Sequence, residues 1–233
     1  KHKQMNYTTY FYPEFKNFIN NPTISQPISS FDKKRRNFDD ENYITRLIQN
    51  DSIDEFIIYV NKKNISLNST IKESIFETNP LLINKSTSFI QYSAFYGSLQ
   101  VFNYLRLSGV ELNSSLWIYA IHGKNPEIFH ILEDNHVEFD LEMRIKCLKE
   151  SIKCHHNEFS EYIIQNKFFD DKIETNEYLI DKIKHHNYLS LPNDIFEMSQ
   201  FFFYFCKYDY FHCVDYLLNN KKILCFLLTR SRC

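Results

Sequence analysis

SFIQYSAFYGSLQVFNYLRLSGVELN, Ser88 to Asn113, decides how this chain is read. Val101-Phe102 and Tyr104-Leu105 are two apolar pairs three residues apart, the spacing that lines one face of a 3.6-residue helix. Upstream, Phe89 to Phe95 forms a second short apolar segment. Gly97 separates the two and Gly109 follows the second, both at places where a helix end takes the left-handed conformation that glycine adopts without strain. The stretch therefore reads as a pair of short helices closed by two glycine turns.

The pattern recurs. Asn125 to Leu132 repeats Ser98 to Leu105, with Phe129 standing 27 residues after Phe102. Weaker copies run from His156 to Ile163 and from Phe211 to Leu217, and Ser52 to Tyr59 precedes them all. Each later copy has its own upstream apolar segment: Leu116 to Ile121, Cys147 to Cys154, and Phe201 to Cys206. From Phe129 to Ser160 is 31 residues and from Ser160 to Val214 is 54, so the last gap hides an insertion or a lost copy. A single helix pair cannot bury both its faces, and copies stack to share a continuous core. The expected fold class is all-α, a helical solenoid of stacked antiparallel helix pairs.

Ser88 to Asn113 also resembles an ankyrin repeat. Ser88 and Ile90 fall at that motif's opening Thr and Leu, Ser93-Ala94 at its Ala pair, Gly97-Ser-Leu-Gln100 at its Gly-His-Leu-Glu turn, and Gly109-Val-Glu-Leu-Asn113 at its closing segment. Ser115 to Asp140 keeps Ala120, Glu127, Ile128, Phe129 and Leu132, with Lys124 and His136 at the two glycine positions. Phe89-Ile-Gln-Tyr-Ser-Ala-Phe95 and Cys147-Leu-Lys-Glu-Ser-Ile-Lys-Cys-His-His156 are similar to the divergent ankyrin proteins of protists grouped as the uncharacterised DUF3447 type. The resemblance implies degenerate ankyrin repeats over residues 88 to 233, a scaffold that binds another protein, and no catalysis.

Outside that array, residues 1 to 38 hold Pro13, Pro22 and Pro27 and read as an irregular segment. Residues 39 to 87 read as a helical half-repeat region. In 233 residues there are only three Gly and six Pro, too few for an all-β chain with a turn roughly every 8 to 12 residues. The formal net charge is −2, which supplies no field for nucleic acid or anionic lipid. Six cysteines without a signal-like start point to free thiols and an intracellular, cytoplasmic location. Lys33, Lys34, Arg35 and Arg36 offer a nuclear-import patch as the alternative, blunted by the acidic residues that follow. No apolar run approaches the roughly 20 residues of a membrane span. The start at Lys1 and the apolar run Ile223 to Leu228 near the end raise a third reading, a truncated family member without independent function.

Cys147, Cys154, His155 and His156 contain zinc-ligand types, and a metal-dependent or hydrolytic enzyme built on them is the rival functional reading. Their spacing argues otherwise. Cys147 and Cys154 lie seven apart on one helix face, where Cys packs as a small hydrophobe, and His155-His156 falls at an inter-helix turn. No Gly-x-Ser-x-Gly elbow is present. No catalytic residue, metal, cofactor or small-molecule substrate is assigned. The expected partner is another protein, held on Gln91, Tyr92, Phe95, Tyr119 and His122 along the exposed side of the first helices of each pair.

Overall fold

The computed structural model describes residues 43–71, 79–82, 86–165, 175–188, 191, 195 and 199–219. Among them the chain is all-helical, with no strand beyond one isolated antiparallel bridge between Thr70 and Ser88. No helix among them is long and apolar enough to cross a membrane. The patches Lys33 to Arg36 and Ile223 to Leu228 lie outside the described residues. Two compact units meet at His136 and Val137, inside the segment expected as one array.

The first unit holds three helix hairpins: α1 (Tyr43–Gln49) with α2 (Ile53–Lys63), α3 (Phe89–Tyr96) with α4 (Leu99–Leu107), and α5 (Leu116–Gly123) with α6 (Pro126–Asp134). α1, α3 and α5 pack side by side as an inner row, and α2, α4 and α6 form an outer row. The sequences explain the division. α3 reads FIQYSAFY and α5 reads LWIYAIHG, without an Asp, Glu, Lys or Arg between them. A helix apolar all round must be covered on more than one side. The outer helices are one-sided: Val101, Phe102 and Leu105 of α4 are wholly buried while Leu107 is exposed. Rings join the layers edge to face, Phe56 on Phe89 at 6.0 Å and Trp117 on Phe129 at 4.7 Å.

The second unit pairs α7 (Leu141–Lys153) with α8 (Asn157–Gln165), lays α9 (Thr175–Lys184) on α7 and α10 (Phe202–Lys207) on α9, and pairs α10 with α11 (Phe211–Asn219). Ile183, Ile195, Phe201, Phe205, Tyr210 and Leu217 form its core. The inner-helix slot of Phe201 to Cys206 thus packs as expected at Phe201 and Phe205, but Phe203 is 66% exposed.

One turn recurs throughout. Each inner helix ends on a left-handed residue: Asp51, Gly97, Lys124, His155, His186 and Asp209, with φ between 52° and 68° in every case. Outer helices α2, α4 and α6 end likewise at Asn64, Gly109 and His136. The hydrogen bonds repeat with it. The N–H after the turn residue reaches five residues back, from Ser52 to Leu47 O, Ser98 to Ser93 O, His156 to Ser151 O, Asn187 to Lys182 O and Tyr210 to Phe205 O. This is the double-bonded helix terminus that satisfies carbonyls a helix leaves orphaned. His186 lies 31 residues after His155 and 23 before Asp209, so the long gap holds another inner helix, α9, with its own turn.

A second set of bonds joins neighbouring hairpins. Ser98 Oγ donates to Ile48 O at 2.5 Å, Asn187 Nδ2 to Ile152 O at 3.0 Å and Tyr210 Oη to Ile183 O at 2.9 Å. In each, the residue after one turn reaches the carbonyl three residues before the preceding turn. Asp51 adds a cap in the other direction, its carboxylate accepting the N–H groups of Gln100 and Val101 at the start of α4. Where α3 and α5 end, the backbones touch: a Cβ at Gly97 would stand 2.5 Å from Gly123 O, and one at Gly123 2.2 Å from Ala94 O.

Gly109 needs only its positive φ, since a Cβ there meets nothing within 4 Å. Gly109→Ala should therefore lower stability by about 1 to 2 kcal/mol, the left-handed penalty alone. Gly97→Ala adds a backbone collision and should lose clearly more, while Lys124→Gly, relieving a φ of 52° on a residue with a side chain, should gain about 1 kcal/mol. Urea unfolding of the three variants checks the order, and a Gly97→Ala protein no weaker than Gly109→Ala contradicts the close packing of the inner row.

Candidate partner-binding site

The five residues expected on a partner surface divide on inspection. Tyr92 and Tyr119 are buried, at 4% and 6% exposure, so the expectation that their rings face a partner is corrected: the inner row is apolar on both sides and takes them into the core. The phenol of Tyr119 is raised above its ordinary pKa by that burial. Gln91 is committed internally. Its carbonyl accepts Ser88 N–H and its own N–H meets Ser88 Oγ, a reciprocal helix cap, while Nε2 donates to Ser115 Oγ at 2.8 Å in the next hairpin. Phe95 and His122 are half-buried and lie against each other, ring centroids 4.8 Å apart and nearly parallel at 21°.

That pair belongs to a longer line. Phe95 meets Tyr96 at 5.0 Å, Tyr96 meets Tyr92 at 4.8 Å, and the Tyr92 hydroxyl accepts from Gln49 Nε2 at 2.8 Å. Gln49, Tyr92, Tyr96, Phe95 and His122 thus form a chain of contacts across the last turns of α1, α3 and α5, open to solvent chiefly at Tyr96, which is 37% exposed. Neither Tyr96 nor Gln49 is among the five expected residues. The signal for Tyr96 is its place one residue before Gly97, where a helix without a polar face must end on whatever ring comes last.

The cluster considered for chemistry is spread over structural roles. Cys147 is fully buried in α7, and burial raises its thiol far above the usual range, the reverse of the thiolate that a nucleophile or metal ligand requires. Cys154 is the residue that closes α7, half-buried, with Sγ 3.9 Å from Glu150 Oε1. His155 is itself the left-handed turn residue, and its Nε2–H donates to His185 O at 3.0 Å in the following turn. His156 supplies the N–H of the recurring helix terminus. His155, expected at an inter-helix turn, thus lies at one and bonds the backbone of the next.

Other shifted groups have packing causes. Tyr210 is raised by burial and by Tyr188 beside it, and His185 is lowered by burial and by Lys184. No family model matches the chain, and it matches no curated protein and no solved structure.

Lys182 is the second unit's most unusual side chain, 1% exposed with Nζ 4.0 Å from the Tyr178 ring centroid. Burial lowers its pKa to about 8, opposed only in part by Glu161. Because the folded value lies below the unfolded 10.5, the charged form is penalised by folding: the penalty is full below pH 8 and fades as pH rises from 8 to 10.5. Lys182→Met should raise the second unit's unfolding midpoint by roughly 4 to 8 °C at pH 7, the shift expected from about 1 kcal/mol in a domain of that size. Thermal scans should show the gain shrinking toward pH 10.5. A gain that grows with pH would contradict burial as the cause.

Proposed function

We propose that this chain is a non-catalytic binding scaffold of degenerate ankyrin repeats of the DUF3447 type, whose ligand is another protein. The observation that supports it is the aromatic line along the inner-row turns of the first unit, where Phe95, Tyr96 and His122 remain partly open to solvent. Aromatic rings with a wet edge give large contact area with little side-chain entropy to lose, which suits protein recognition. The recurring turns and carbonyl bonds are compatible with ankyrin-type stacking, and the apolar inner helices with a rigid platform.

The site at Phe95 and Tyr96 should carry much of the binding. Central aromatic anchors in an interface are worth about 2 kcal/mol or more each on truncation to alanine, a loss of at least roughly thirtyfold in affinity. Full-length protein and its Phe95→Ala/Tyr96→Ala variant, immobilised in parallel, should differ in a specific polypeptide retained from an extract of the source cells. The variant must keep its helical circular dichroism and unfolding midpoint. Equal retention by a folded variant removes the site, and bound metal in stoichiometric amount with hydrolytic turnover would favour the enzymatic alternative.

A further inference from the structure

We draw no further inference here: the strongest candidate, the exposed rings of Phe203 and Phe211 with Cys206 on the α10–α11 hairpin, carries none because nothing in the structure shows what covers them.

Discussion

The carbonyls in the last turn of each inner helix set the geometry on which the stack depends. A helix leaves these groups without partners, and burying them unpaired would be expensive in a core this apolar. At α1, α7 and α9 the terminus is closed twice, once by the N–H that follows its own left-handed residue and once by the side chain that follows the next inner-helix turn. The first bond fixes where the helix stops. The second fixes where the neighbour sits. Because Ser98, Asn187 and Tyr210 reach the same carbonyl position with three different side chains, it is the backbone turn, and not a particular donor, that has to be kept.

This explains how much of the fold could be read in advance. The helix pairs were legible because apolar spacing is a direct consequence of burying one face, and Gly97 and Gly109 because the left-handed turn favours a residue without a Cβ. The other turn residues gave no such signal. Asp51, Lys124, His155, His186 and Asp209 adopt the same conformation under tertiary constraint, each at some local strain, and the same helix-terminus hydrogen bond recurs at turns without glycine. α9 was lost from the sequence reading for that reason: it carries Lys182 at a core position and a histidine at its turn, which breaks the apolar spacing and the glycine pattern together. Gly123 was not recognised either, because its requirement is the approach of Ala94 O across a helix interface and not its own φ.

The candidate site was half legible for a related reason. Choosing exposed residues by helical position assumes that an inner helix has a wet side. α3 and α5 have no charged residue to define one, and Tyr92 and Tyr119 are drawn inward while Phe95 and His122 stay at the edge. Sequence position put all five residues on α3 and α5 but could not tell which rings would be covered.

Exposed rings are organised differently around Phe95 and around Phe203. In the first unit Phe95, Tyr96 and His122 are held by one another, so their geometry is fixed before any partner arrives and little ordering entropy remains to be lost on binding. At α10, Phe203 touches Tyr204 of its own helix at 5.6 Å, and the position sealed in other inner helices is occupied by the exposed Cys206. A pre-stacked ring line whose members differ in polarity suits discrimination between partners.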